Sequence, residues 1–199
     1  MAGELVLEKV RLEVADGVAT LTLNDPGALN VTGYRMGADL RAATEYIADM
    51  AGVRAILLNA EGKHFCGGGD LRAMQATFGQ DPTAFFTQAL VDIHHAVVNL
   101  HSAPIPVVAA VQGFAAGAGA NLPLAADIVL AADDAQFFQA FVQVGLAVDS
   151  GGAWFLPRAI GDKRALYYLM TGAKMNAAEA YNLGLVSRVV PGESLQQEA

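Results

Sequence analysis

The sequence has little charge and almost no cysteine. Charged side chains make up 16% of the 199 residues, and 20 acidic residues against 12 basic ones leave a net charge of −8 at pH 7. Because phosphate binding needs a basic face, this balance argues against a nucleic-acid partner. The single cysteine, Cys66, excludes an intrachain disulfide and is compatible with a reducing compartment. The N-terminus has no basic leader before an apolar run, so we expect no secretory signal and a cytoplasmic protein.

Charge is missing altogether from one long central run. No Asp, Glu, Lys or Arg occurs between Ile93 and Ala126. A run of about 20 apolar residues would be enough to cross a bilayer. Prolines and amides interrupt this one, however, at Pro104, Pro106, Gln112, Asn121 and Pro123. The run therefore does not predict one continuous membrane-spanning helix, and we expect no membrane partner.

The same run is typical of a buried protein core. It predicts a strand at Pro106–Val111 and a small-residue turn at Gly113–Gly119 that opens a short helix, and a second strand is predicted directly after it at Asp127–Ala132. With 54% hydrophobic residues, the chain can bury one sizeable core. Polar groups held in so dry a region suit a reaction centre, because fixed dipoles act most strongly there.

The first half of the chain predicts a hairpin followed by helices and a strand. Alternating residues at Glu8–Val14 and Val18–Leu23 flank a tight turn near Asp16-Gly17. A short buried strand is expected at Ala55–Leu58. Helical spacing of apolar residues precedes that strand, at Met36, Leu40, Ala43, Ile47 and Met50. Asp81-Pro82 predicts the start of a later helix, whose apolar face carries Phe86, Leu90, Ile93, Val97 and Leu100.

The second half adds further turns and helices. Gly145–Gly161 predicts a turn that enters a helix, and Asp162 is expected to cap the next one. Asn176 with Glu179 is similar to a capping box, and Gly184 is expected to end that helix. Strands alternating with helices predict an α/β fold, organised as a single domain over residues 1–199.

Two glycine-rich turns, Gly67–Asp70 and Gly117–Ala120, each follow a predicted strand and open a helix. Unpaired N–H groups point outward at such a place. Two turns could therefore aim two donors at one oxygen, although a tight turn alone would explain either one. Neither turn has the GxxxxGK[ST] or the full GxGxxG pattern, so nucleotide binding is weakly supported.

The histidines and the cysteine give no strong sign of metal or thiol chemistry. His94, His95 and His101 lie on or beside one predicted helix, without carboxylate or thiolate partners at ligand spacing. We therefore predict no metal site. Cys66 and His64 are two residues apart in an extended loop and point in different directions, so Cys66 is expected to pack.

Taken together, the motifs of this sequence resemble the enoyl-CoA hydratase/isomerase (crotonase) superfamily over almost the whole chain. They are Ala28-Leu29-Asn30, HFCGGGDL at 64–71, VQGFAAGAGANLPLAADI at 111–128, GLAVDSGGAWFLPRAIG at 145–161 and AYNLGLVSRVVP at 180–191. The resemblance implies a spiral of ββα units with helices packed around the sheets. It also implies a coenzyme A thioester substrate from fatty acid or phenylacetate metabolism, no tightly bound cofactor, and a homotrimer or dimer of trimers. Relatives continue into C-terminal helices that this chain is expected to lack.

The resemblance also assigns site residues. The backbone N–H groups of Gly69 and Ala118 are expected to form an oxyanion hole, where one donor is worth roughly 2.7–4 kcal/mol in the transition state. The pocket wall is expected to contain Cys66, Gly68, Leu71, Asn121 and Phe141. Ala28 and Lys63, with Arg72 as a further cation, are expected near the coenzyme A moiety.

Departures from the family pattern concern the acid–base residues. Family hydratases carry two glutamates, and the matching positions here are Asn121 and Phe141. Adding water needs a base and an acid, and Asn121 cannot titrate. Ordinary hydratase activity is therefore not expected.

Asp149 remains as the candidate acid–base group. It is either a helix cap or the match to the acidic residue of family isomerases, and its surroundings look most like the ring-opening epoxide isomerase branch. One carboxylate in an apolar pocket can move a proton between two carbons. We expect an acyl-CoA isomerase; the alternatives are a hydratase-type enzyme, a dehalogenase with an aspartate nucleophile, and a catalytically silent thioester-binding protein.

Overall fold

The predicted hairpin opens the fold. The computed structural model describes residues 5–199 apart from 78, 80 and 82. Strand β1 (Val10–Ala15) pairs antiparallel with β2 (Val18–Leu23). Asp16 and Gly17 join them with φ of 52° and 82°. This double left-handed turn matches the twist of a hairpin and confirms the predicted Asp16-Gly17 position.

A six-stranded sheet carries the hairpin at one edge, in the order β1-β2-β3-β4-β6-β9. Its remaining strands are β3 (Ala55–Ala60), β4 (Val107–Val111), β6 (Ile128–Ala132) and β9 (Arg188–Val190). Every neighbouring pair beyond the hairpin is parallel. The strands predicted at Pro106–Val111 and Asp127–Ala132 are confirmed as β4 and β6, and β3 continues two residues beyond its prediction.

A second sheet of three short strands has the order β5-β7-β8. The strands are β5 (Phe114–Ala116), β7 (Gln136–Phe138) and β8 (Lys174–Asn176). The prediction of one turn over Gly113–Gly119 is therefore wrong for Phe114–Ala116, which form β5. Three residues are too few to show alternation, and the partner of β5 lies more than twenty residues away in the chain.

Eight α-helices are present in the described part of the chain: α1 (Tyr34–Ala48), α2 (Leu71–Gln75), α3 (Thr83–His101), α4 (Ala118–Asn121), α5 (Gly152–Ile160), α6 (Asp162–Thr171), α7 (Ala177–Leu183) and α8 (Leu195–Glu198). Four of the five predicted apolar positions of α1 are buried, and so are Ile93, Val97 and Leu100 of α3. Phe86 and Leu90 are only half-buried. Pro82 lies outside the described residues. The carboxylate of Asp81 accepts the Thr83 N–H at 2.9 Å.

Helix ends agree with the sequence in some places and differ in others. Asn176 caps α7, accepting the Glu179 N–H at 2.9 Å, and Gly184 ends α7 with φ of 85°. The Glu179 carboxylate accepts a hydrogen bond from the Tyr168 hydroxyl instead of from the Asn176 N–H, as a capping box would require. Asp162 is the first helical residue of α6 and makes no side-chain cap, because Gly161 occupies the cap position. The predicted cap at Asp162 is wrong.

The mixed α/β class is confirmed by these sheets and their packed helices. Over the residues the structure describes, no helix combines the length and the apolar character that a membrane span requires.

Candidate active site

A cavity of about 630 Å³ lies where the two glycine-rich turns meet. Its lining includes Gly67–Asp70 from one turn and Gly117 and Ala118 from the other. The opposite side comes from α3 and from the segment between β7 and α5. Pockets of roughly 300–1,000 Å³ are the usual size of small-molecule sites, so this cavity is large enough for an organic substrate.

Strand-like pairing holds the two turns side by side. The Cys66 N–H donates to Phe114 O at 3.2 Å, and the Ala116 N–H donates to Cys66 O at 3.0 Å. The loop before Gly69 therefore runs beside β5, which leads into Ala118. Gly68 has φ of +89°, and a Cβ there would lie 2.5 Å from Ala116 O. Only glycine lets the two backbones approach this closely.

The backbone N–H groups of Gly69, in the first turn, and of Ala118, in the second, have no acceptor within the described part of the protein. The Gly67 N–H donates to Leu29 O, the Gly68 N–H to the Cys66 sulfur, and the Gly117 N–H to Phe138 O. Ala118 is the first residue of α4, where an N–H has no partner within the helix. Both residues line the cavity, so their donors are available to a ligand.

Asp149 lines the same cavity, in the segment before α5. It is half-buried, and one carboxylate oxygen accepts the Ser150 hydroxyl at 2.8 Å. Burial raises the pKa of Asp149, while the Ser150 hydrogen bond and the nearby His94 act in the opposite direction. Gly151 occupies the N-cap position of α5, and no side chain caps this helix. The Asp149 carboxylate is therefore not the helix cap, and Asp149 lines the cavity with a pKa that burial raises.

Two residues expected in the pocket wall lie behind it instead. Asn121 is fully buried, and its amide donates to Asp149 O at 2.9 Å and accepts from Gln139 at 2.8 Å. Cys66 is also fully buried, and its thiol donates to Asn30 O at 2.9 Å. Burial raises the pKa of Cys66 to about 12, so the thiol stays protonated at neutral pH. Neither side chain is among the groups that line the cavity.

Comparison with known proteins identifies the family. The chain matches the family model of enoyl-CoA hydratase/isomerase over residues 13–199. The chain belongs to the enoyl-CoA hydratase/isomerase family. It is 41% identical over 182 residues to a Rhodobacter capsulatus protein named "Probable enoyl-CoA hydratase", covering 92% of this chain and 68% of that one. It is 37% identical over 198 residues to the 1,2-epoxyphenylacetyl-CoA isomerase of Escherichia coli, covering 98% and 74%.

A solved enoyl-CoA hydratase from Polaromonas sp. JS666 superposes on the structure with a TM-score of 0.89. It shares 33% identity, over 96% of this chain and 74% of that one. The crotonase fold expected from the motifs is thereby confirmed. As a member of the enoyl-CoA hydratase/isomerase family, the protein is an enzyme whose substrates are expected among coenzyme A thioesters.

The remaining residues that the family resemblance assigned are split between cavity and surface. Gly68, Leu71, Phe141 and Ala28 line the cavity, as does Arg72. Lys63 is exposed in its loop and does not line the cavity, so its expected place beside the substrate is not supported. Phe141 presents a nearly fully buried apolar ring where family hydratases carry a glutamate.

Asn30 is a structural residue of the site whose role the sequence did not reveal. It is fully buried with φ of 52°, and its amide donates to Glu61 O, His64 O and Phe65 O. These bonds hold the loop that leads to Gly69. The motif placed Asn30 near the site, and asparagine tolerates the left-handed region, but no local pattern indicates which distant carbonyls it contacts.

Proposed function

We propose that this enoyl-CoA hydratase/isomerase family member is an acyl-CoA isomerase, in which Asp149 moves a proton between two carbons of the acyl group. The observation that carries the proposal is the arrangement of one cavity: a half-buried carboxylate with a raised pKa and two backbone N–H groups line it together. The other carboxylate of the lining, Asp70, accepts the N–H groups of Arg72 and Ala73 as the cap of α2.

The chemistry follows from these groups. The thioester oxygen accepts hydrogen bonds from Gly69 and Ala118 N–H. Asp149 takes a proton from the carbon next to the thioester, and the electron pair of that C–H bond moves into the enolate, where fixed donors stabilise the new charge. The double bond shifts as the same carboxyl group returns the proton two carbons further along. The proposed steps need no tightly bound cofactor. Coenzyme A enters as part of the thioester substrate.

Two side chains at and behind the cavity wall favour isomerisation over hydration. Water addition requires a group that activates water and a group that delivers a proton. Phe141 and the enclosed Asn121 stand at the positions where family hydratases carry these groups, and neither titrates. Relatives named for both activities exist, so the choice rests on these two side chains and on Asp149. The homotrimer or dimer of trimers is proposed from the family resemblance alone.

Asp149→Asn tests the proposal, with Asp70→Asn as its matched control in the same cavity. Asn keeps an acceptor for Ser150 but cannot take a proton. We expect turnover of 3-enoyl-CoA to 2-enoyl-CoA to fall by about 10²–10⁴-fold in Asp149→Asn. Binding of the coenzyme A ester should remain close to that of the unchanged protein. Asp70→Asn should keep most activity, since asparagine also caps helices well.

Assays in heavy water separate the alternatives. The acyl group gains deuterium whenever the Asp149 carboxyl exchanges its proton with solvent before returning it, and Asp149→Asn should lose both turnover and this exchange. Undiminished turnover in that variant would remove Asp149 from the mechanism. A trapped aspartyl ester would support the dehalogenase, a hydrated product the hydratase, and ester binding with neither turnover nor exchange the silent protein; each of these results contradicts the isomerase.

A further inference from the structure

Side chains hold both polar groups of a single peptide unit, the one that joins Asp149 to Ser150. The Asn121 amide donates to Asp149 O at 2.9 Å. The Ser150 N–H, on the other side of the same peptide plane, donates to His94 Nε2 at 3.2 Å. His94 belongs to α3 and Asn121 to α4, so two separate helices fix the orientation of this unit.

The backbone here needs such support. Ser150 has φ of 48°, a region that non-glycine residues rarely occupy, and it is 1% exposed. Gly151 follows with φ of 78°. Residues in sparsely populated backbone regions persist only where their surroundings over-determine them. The two side-chain bonds contribute to that constraint directly after the candidate base, beside the Gly152 N–H, which donates to Asp149 O at 2.9 Å.

A third side chain sets the direction of the Asn121 amide. Gln139 Nε2 donates to Asn121 Oδ1 at 2.8 Å, which leaves the Asn121 NH₂ group to face Asp149 O. Asparagine can donate only through its nitrogen, so the bond from Gln139 fixes the amide orientation in which the Asn121 NH₂ group donates to Asp149 O. Neither Asn121 nor His94 lines the cavity. Both therefore act on the substrate only through Asp149 and Ser150.

We propose that His94 and Asn121 are positioning residues, a two-sided clamp on the Asp149–Ser150 peptide that aims the Asp149 carboxylate into the cavity. The proposal rests on the isomerase function proposed above. In this role His94 works as a hydrogen-bond acceptor. Its Nε2 receives the Ser150 N–H. The imidazole takes no part in proton transfer to the substrate.

His94 gives the cleaner test, because it is exposed and its replacement leaves the core intact. His94→Leu removes the acceptor, whereas His94→Gln offers a side-chain oxygen in its place. We expect His94→Leu to lower kcat by about 10–100-fold with KM changed by less than about 3-fold, since misplacing a reacting group by about 1 Å costs up to about 10²-fold. His94→Gln should restore kcat to within about 3-fold of the unchanged protein. His95→Leu, at the next exposed position of α3, is the matched control and should have no effect.

Amide hydrogen exchange at Ser150 provides a readout that does not depend on catalysis. His94→Leu should accelerate exchange of this N–H, and His94→Gln should restore its protection. Equal losses of kcat in the Leu and Gln variants would overturn the clamp, because they would show that the imidazole itself is needed. Normal kcat and normal Ser150 protection in His94→Leu would overturn it as well. If instead Asp149→Asn keeps its turnover, the isomerase proposal fails, and the exchange measurement still decides whether the clamp exists.

Discussion

Cys66 shows how one residue can belong to a site without taking part in its chemistry. Its thiol lies between the two glycine-rich turns, where it donates to Asn30 O and accepts from the Gly68 N–H at 3.4 Å. A Cβ on Gly119 would lie 2.6 Å from the Cys66 sulfur, so α4 packs directly against this side chain. Cys66 thus acts as a small buried spacer that sets the distance between the two turns.

The first prediction concerns the reactivity of Cys66. Alkylation proceeds through the thiolate, and burial raises the pKa of this thiol to about 12. The folded protein should therefore resist iodoacetamide near neutral pH and react fully once guanidinium unfolds it. Mass spectrometry of the Cys66 peptide measures the labelled fraction, and rapid stoichiometric labelling of the native protein would contradict the burial.

Asp149, Asn121 and Cys66 also mark how far the sequence determines a site at the level of single residues. The motifs correctly placed all three near the cavity, and the structure brings Asp149 to its wall. They could not show that Asn121 and Cys66 point away from it. A motif fixes proximity along the chain, whereas side-chain direction depends on backbone angles such as the positive φ of Ser150 and Gly68, which are set by distant contacts. The roles of Asp149, Gly69 and Ala118 in catalysis stay predictions.

Among secondary-structure elements, regular patterns were predictable and short pairings were not. The hairpin, β4 and β6 follow from alternation or from a buried run, because each repeats its signal over several residues. Strand β5 has only Phe114–Ala116 and is defined by its partner β7, so no local pattern identifies it. Yet β5 carries Ala118 to the side of Gly69. The least predictable strand therefore determines the geometry of the candidate oxyanion hole.

Gly68→Ala tests this juxtaposition, with Gly52→Ala as its control. Both glycines have nearly the same left-handed φ, +89° and +88°, so alanine introduces similar backbone strain of about 1–2 kcal/mol at each. A Cβ on Gly68 would lie 2.5 Å from Ala116 O, whereas nothing lies within 4 Å at Gly52. Pushing the turns apart should misalign the two donors, and we expect kcat to fall by at least about 10-fold in Gly68→Ala alone.

The measurement is steady-state turnover of both variants alongside their thermal unfolding. Gly52→Ala should unfold at a lower temperature and keep its kcat. If Gly68→Ala lost no more activity than Gly52→Ala, the close approach of the two turns would have no catalytic importance.

At the scale of the whole molecule, burial of the Asp149 carboxylate in the candidate site lowers the stability of the fold at neutral pH. Two helices, α3 and α4, contact the Asp149–Ser150 peptide, and the carboxylate beside it is half-buried. Burial disfavours the charged form, which raises the pKa of Asp149. A group poised as a base therefore costs the folded state some of its free energy at neutral pH.

This cost predicts that Asp149→Asn is more stable than the unchanged protein at neutral pH. Because the pKa of Asp149 is raised on folding, the folded state holds the proton more tightly than the unfolded chain does. The stabilisation from protonation is complete below the ordinary aspartate pKa and is lost as pH rises through the raised folded value. The Tm advantage of Asp149→Asn should thus be largest near neutral pH and shrink on acidification.

For a chain of this length each 1 kcal/mol shifts Tm by about 2–4 °C, so scanning calorimetry from about pH 4 to about pH 8 resolves the trend. Asp70→Asn, which removes the same charge from the same cavity, separates this effect from a change in net charge, and a Tm of Asp149→Asn below that of the unchanged protein at neutral pH would contradict the burial cost.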